Sequence, residues 1–261
     1  MLRRSFKMVM CLGGLFLFLI SAAFVHLFMV FNRQGKWRAF SCLNQQFARF
    51  LGAIAGLHCT VRGRENIPNV SGYVVVSNHL TYLDGIVLGS ILAVTYLSKK
   101  AIKKWPLINW MAIISGTIFV DRQKKSASLQ TINDISVRLQ GATNILLFPE
   151  GTSTNAEALK KFQSVFFEAP LSCKAALLPV VVRYRAIDGR PVNRLNRHRI
   201  FWWGQVPFQS HLFQLLCMKA IEAEVHIYPV IESRNFEGSS LGRKQLAQHA
   251  HDVINAAYPL L

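Results

Sequence analysis

Tyr73-Val74-Val75-Val76-Ser77-Asn78-His79-Leu80-Thr81-Tyr82-Leu83-Asp84 runs a short β-branched stretch directly into an imidazole and a carboxylate. The apolar part follows the turn residues Pro68, Asn69, Ser71 and Gly72, so it reads as a buried strand. His79 stands where that strand ends. In a continuous helix His79 and Asp84 would lie roughly 140° apart around the axis and could not easily meet. A bend between strand and helix is required, with Asp84 in the first helical turn. Such a bend lets the carboxylate accept from one ring nitrogen and leaves the other for chemistry, the arrangement of a general base and its orienting acid. The same pair also arises by accident in many sequences, so its surroundings have to decide.

The chain has 261 residues, 51% of them hydrophobic, enough for one domain with an appendage. Its 30 Lys and Arg against 13 Asp and Glu give a net charge of +17, which calls for anionic partners, either nucleic acid or an anionic membrane. No zinc-finger spacing or RNA-recognition motif supports nucleic acid. The N-terminus supports membrane. Met8 to Phe31 contains no Asp, Glu, Lys or Arg, and as a helix it would cover roughly 36 Å, enough for a hydrocarbon core. A cleaved signal peptide fits less well, since cutting after Ala23 would leave Phe24 to Phe31 as an apolar new terminus. Arg3, Arg4 and Lys7 before the stretch nearly balance Arg33, Lys36 and Arg38 after it, so the flanks do not set an orientation. The cysteines, Cys11, Cys42, Cys59, Cys173 and Cys217, show neither a disulfide framework nor a zinc spacing. They point to a reducing compartment and a cytosol-facing domain. His249 and His251 have no ligand constellation near them and read as solvated helix residues.

Beyond the anchor, Trp37, Phe40, Leu43, Phe47, Phe50, Leu51, Ile54 and Leu57 recur at steps of three and four, the stripe of an amphipathic helix that lies on a membrane or packs on the domain. Strands are then expected at Tyr73 to Ser77, Thr117 to Val120, Asn144 to Phe148, Leu177 to Val182, Ile200 to Trp203 and Val225 to Tyr228. A closing helix is expected over Gly242 to Tyr258. This is α/β alternation. The organisation expected is a membrane anchor over 1–36, an amphipathic helix over 37–60 and a catalytic domain over 61–261.

Three further segments end apolar runs in polar residues. In Gly116-Thr117-Ile118-Phe119-Val120-Asp121-Arg122, a surface ion pair would be the ordinary reading, and an Arg fork for phosphate, supported by Asp121, the functional one. In Leu146-Leu147-Phe148-Pro149-Glu150-Gly151-Thr152-Ser153-Thr154, backbone amides could cradle an anion or an oxyanion. The same stretch also makes an ordinary turn, and Thr154 with Glu157 fits a capping box. It lacks the second glycine of a G-x-S-x-G elbow, so Ser153 is a poor nucleophile. Leu178-Pro179-Val180-Val181-Val182-Arg183 says core.

In this order and spacing the four segments, N-H-x-x-x-x-D, G-x-x-F-[IV]-D-R, F-P-E-G-T and a Pro-led apolar strand, resemble the glycerolipid acyltransferase family that includes 1-acyl-sn-glycerol-3-phosphate acyltransferases. The resemblance implies an α/β fold, a mixed sheet flanked by helices, behind an N-terminal transmembrane helix and an amphipathic helix. It implies transfer of a fatty acyl group from acyl-CoA or acyl carrier protein to a lysophospholipid hydroxyl in phospholipid biosynthesis, with no metal or cofactor. His79 becomes the base and Asp84 its partner. Asn78, Phe119, Asp121, Arg122, Glu150, Gly151 and Thr152 become substrate contacts, and Lys99 is similar to a family lysine near the thioester carbonyl, where it would assist the oxyanion.

The acceptor so implied is 1-acyl-sn-glycerol-3-phosphate, giving phosphatidate. Two departures weaken that choice. Many lysophosphatidate-acylating members carry Arg after E-G-T, where this chain has Ser153, and Gln163 stands where Lys is usual. Lys160, Lys161 or Arg183 could compensate. Lyso-ornithine lipid and lysophosphatidylcholine are the alternative acceptors, and a non-catalytic lipid-binding protein is the alternative class. The expected location is a membrane, by a single-pass anchor on an anionic surface, with the catalytic domain toward the cytoplasm and at the inner membrane if the source is bacterial.

Overall fold

A computed structural model of the chain describes residues 2–99, 112–120, 125–237 and 241–258. Asp121 and Arg122 lie outside the described residues. Among the described residues eight strands form one sheet: β1 (Leu57–Arg62), β2 (Val74–Ser77), β3 (Thr95–Lys99), β4 (Ile118–Val120), β5 (Ile145–Leu147), β6 (Leu177–Ile187), β7 (Arg190–Pro191) and β8 (Ile221–Ile227). Their order is β1-β8-β6-β2-β5-β3-β4, with β7 on β6. β6 runs parallel to β2 but antiparallel to β8 and β7; the other described pairs are parallel, so the sheet is mixed. Every residue of the central strands β2 and β5 is buried. That is why they read as unbroken apolar runs, since a sheet covered on both faces needs apolar side chains at every position.

Five of the six expected strands are present with shifted ends, the Leu177 strand running on to Ile187 and the Val225 strand beginning at Ile221. The sixth is not. Ile200 to Trp203 follows a 3-10 turn at Arg197–Arg199 as irregular chain. Ile200 and Phe201 are buried there all the same, and the Trp202 amide reaches the Leu80 carbonyl at 3.0 Å instead of joining a ladder. A four-residue apolar run reports burial and leaves the backbone conformation open. The expected capping box at Thr154 and Glu157 is also absent: no helix begins there, and Glu157 instead pairs with Arg197 at 2.7 Å. The closing helix is present over Gly242–Asn255, where the His251 ring packs edge-on to Phe162 at 5.1 Å and is only partly solvated.

Two long helices precede the sheet, α1 (Leu2–Phe28) and α2 (Arg33–Ala55). The amphipathic helix expected over 37–60 therefore starts earlier and stops earlier. Gly56 ends it at φ 78°, a left-handed C-cap, and a side chain there would meet the Lys219 carbonyl. Leu57 to Thr60 belong to β1. The two sides of α2 also divide their partners in an unexpected way. Much of its aromatic stripe receives α1, with Phe47 stacked on Phe18 at 4.5 Å and Phe40 against His26 at 4.8 Å, while Trp37 lies under the Arg138 guanidinium of the domain at 4.1 Å. Its polar residues bond the domain: Gln45 donates to the Ile91 carbonyl at 2.9 Å and Arg49 to that of Ser90 at 2.9 Å. At the other end of α1 the buried Lys7 ammonium donates to the Met218 and Ala55 carbonyls at 2.8 and 3.3 Å. The outer face of α1 stays apolar and exposed, including Phe6, Val9, Phe16, Leu17, Leu27 and Phe28. Arg4–Phe28, with mean hydropathy 2.5 over its best window, is long and apolar enough to cross a membrane.

Candidate active site

The site forms where β2 ends. Ser77 is the last residue paired to β6, opposite Val180. Asn78 then prolongs that pairing with its side chain, donating to the Val182 carbonyl at 3.0 Å and accepting from the Val182 amide at 2.9 Å. An amide side chain has one donor and one acceptor side, so it can imitate a backbone rung while the main chain turns away. Asn78 is fully buried with both amide ends occupied this way. It shapes the turn, whereas the resemblance expected it at the substrate.

The turn brings His79 to Asp84, which begins the helix α3 (Leu83–Ile91). His79 Nδ1 and Asp84 Oδ2 are 2.9 Å apart. The same oxygen accepts from the amides of Leu80 at 2.7 Å and Thr81 at 3.0 Å, and Oδ1 accepts from the Tyr184 hydroxyl at 2.8 Å. An ionised carboxylate only accepts, so Nδ1 carries the proton and Nε2 presents its lone pair. Among the described residues Nε2 has no hydrogen-bond partner, and the side chain of His79 is 20% exposed while that of Asp84 is fully buried. Phe148 stacks on the imidazole with centroids 4.1 Å apart and planes 15° apart.

The turn after β5 holds His79 by its backbone. Glu150 Oε1 accepts from the His79 amide at 2.7 Å, and Oε2 from the Lys160 amide at 3.0 Å. Thr154 donates to the His79 carbonyl from its amide at 2.9 Å and from its hydroxyl at 3.2 Å. Burial raises the Glu150 carboxyl to about 7, against the two amide bonds that favour its charge. Two amides of the expected anion cradle are already taken, that of Gly151 by the Phe148 carbonyl at 3.0 Å and that of Thr154 by His79. Thr152 is half-buried in the same turn, and Phe119 is half-buried on β4, opposite Ser98 of β3. Lys99 ends β3, and its side chain is outside the described residues.

The two departures have partners. Ser153 is buried and donates its hydroxyl to the Trp202 carbonyl. Gln163 caps the same turn, its amide donating to the Pro149 carbonyl at 3.0 Å and its side chain to that of Glu150 at 3.4 Å. Of the proposed compensating cations, Lys160 and Lys161 are exposed, and Arg183 donates to the Ala257 carbonyl at 2.5 Å. Tyr184 and Trp202 are not read from sequence as parts of this site, and Phe148 and Thr154 stand in the third segment without the roles found here. Tyr184 lies 100 positions from Asp84, beyond any local pattern. Tyr82 closes one flank, T-shaped to Trp202 and Phe208 and bonded to the buried His211 at 3.0 Å.

The family model described as Acyltransferase matches residues 58–183, a stretch that holds His79, Asp84 and Glu150. The lyso-ornithine lipid O-acyltransferase of Rhodobacter capsulatus is 32% identical over 213 residues, 80% of this chain and 72% of that protein. The 1-acyl-sn-glycerol-3-phosphate acyltransferase of Neisseria gonorrhoeae is 25% identical over 205 residues, 78% of each. The fold is similar to that of the 1-acyl-sn-glycerophosphate acyltransferase PlsC from Thermotoga maritima, with a TM-score of 0.66 and 18% identity over 98% of this chain and 96% of that one.

Proposed function

Because the chain belongs to the acyltransferase family, we propose that it carries a fatty acyl group from a thioester, acyl-CoA or acyl carrier protein, to a lysolipid hydroxyl at a membrane surface. The observation that carries this is the His79–Asp84 pair, with Nδ1 held and Nε2 turned away from the carboxylate. In the reaction Nε2 takes the acceptor hydroxyl's proton as the oxygen attacks the thioester carbonyl. Asp84 stabilises the imidazolium that forms. The tetrahedral oxyanion collapses, the C–S bond breaks, and the departing thiolate takes the proton back from Nε2. Ester and thiol are the products, and no acyl-enzyme is needed. Arg122 binds the acceptor headgroup and Lys99 the oxyanion in this scheme, while Glu150 and Thr154 fix the backbone from which His79 projects.

For the acceptor we favour a lyso-ornithine type of lipid. Ser153 supports it, because this position offers a hydroxyl already bound to the Trp202 carbonyl and no cation for a phosphate. The 32% identity to the Rhodobacter enzyme points the same way. Lysophosphatidate is the second reading, supported by the likeness to the Neisseria enzyme. In this reading the exposed apolar face of α1 anchors the enzyme in the bilayer with the domain on the cytoplasmic side, a side that the free cysteines support. Purified enzyme supplied with each donor and a panel of lysolipids, read by mass spectrometry, should acylate lyso-ornithine lipid faster than lysophosphatidate. The reverse order would return the acceptor to lysophosphatidate, and normal turnover by His79→Ala would end the mechanism.

A further inference from the structure

We infer that Tyr184 is a positioning residue for proton transfer at His79, acting through Asp84. The inference rests on the reading of His79 as the base. Asp84 is completely buried, and its two oxygens are served very unequally. Oδ2 accepts from His79 and from the amides of Leu80 and Thr81, whereas Oδ1 accepts from the Tyr184 hydroxyl at 2.8 Å. A buried carboxylate stays charged and in one rotamer only when donors surround it. Without Tyr184, Oδ1 would be left short of a donor. Turning the carboxyl group to find another would carry Oδ2 away from the imidazole.

Tyr184 is suited to this and to little else. It is buried in β6 with its ring 5.9 Å from Phe201. Burial first, and then the Asp84 charge, push its phenol well above the ordinary range. The hydroxyl therefore remains a donor throughout turnover and never competes as a base. Its place on the strand matters too. Val182, two residues earlier, holds Asn78 at the start of the catalytic turn, and Tyr184 holds Asp84 at the end. One strand thus grips both ends of the turn, and a β-bulge between Tyr184 and Ala186 interrupts its register with β8 directly afterwards. The family match ends at residue 183, one residue before Tyr184.

The test is steady-state kinetics of Tyr184→Phe, alone and in an Asp84→Ala background, with His79→Ala as the reference. Loss of a hydrogen bond to a charged group should lower kcat about tenfold with KM within about twofold of wild type. In the Asp84→Ala background the same change should cost less than about twofold, because residues acting through one another are not additive. A structural role alone would give the same loss in both backgrounds. That outcome, or a Tyr184→Phe kcat within about twofold of wild type, overturns the inference. Should the Phe variant not fold, 3-fluorotyrosine at 184 keeps the shape and strengthens the donor, and an unchanged kcat would overturn the inference equally. Active His79→Ala would remove the base reading itself. Inactive His79→Ala beside fully active Tyr184→Phe removes only the role of Tyr184.

Discussion

The turns after β2 and β5 leave adjacent parallel strands of the sheet, and both run from buried apolar residues into polar ones. They do opposite work. The first, Asn78 to Asp84, presents His79 Nε2, which has no hydrogen-bond partner among the described residues. The second, Phe148 to Thr154, directs its carboxylate and its threonine onto the backbone of the first. A signature residue can therefore serve by holding the backbone of a site. Glu150 stands in the middle of the F-P-E-G-T pattern, yet both its oxygens face main-chain amides.

The largest effect expected from breaking this contrast is at His79 itself. His79→Ala should lower kcat by about a thousandfold, measured with saturating donor and acceptor. Substituting the supporting turn should cost less and should register in stability as well as in rate. Glu150, with its folded carboxyl at about 7, favours the protonated form more than an unfolded glutamate does. Its contribution to stability is thus complete below the unfolded value and is lost as pH rises toward 7. Measured by denaturation at both ends of that window, wild type should lose up to about 3 kcal/mol relative to Glu150→Gln, which does not titrate. An equal pH response in the two proteins would mean that the carboxylate is charged throughout.

Asn78→Ala removes the imitation rung and leaves the Val182 amide and carbonyl buried without it. It should destabilise the fold by about 2 kcal/mol and slow turnover, read by melting and initial rates. The smallest effect is expected at Ser153. Ser153→Ala deletes its hydrogen bond to Trp202 and should cost about 1 kcal/mol with kcat unchanged. A large rate loss there would show that the second turn also touches substrate.

Much of the site was legible because its key pair is local. The bend between His79 and Asp84 follows from helical geometry, and the central strands announced themselves as β-branched runs. The helix stop at Gly56 was legible in principle, since glycine is the usual left-handed cap, but the apolar periodicity carried past it to Leu57. Ile200 to Trp203 misled because burial and strand conformation look alike in four residues. The roles of Glu150, Asn78 and Ser153 were hidden for another reason. A polar side chain in a motif has the same letter whether it faces a ligand or a buried amide.

The sequence by itself determined the strand-to-helix bend, the acceptor-only partner of His79, the α/β order and an apolar N-terminal helix. All of these rest on periodicity or on residues a few positions apart, where covalent geometry limits the choices. Tertiary structure alone decided that α2 turns Phe40 and Phe47 of its aromatic stripe to α1 and its polar side to the domain. It alone brought Glu150 to the His79 amide, Trp202 to Ser153 and Tyr184 to Asp84. Those contacts span tens of residues; the pairing of β6 with β2 and of β2 with β5 brings Tyr184 and Glu150 into reach, and the hydrogen bond from the Trp202 amide to Leu80 brings Trp202.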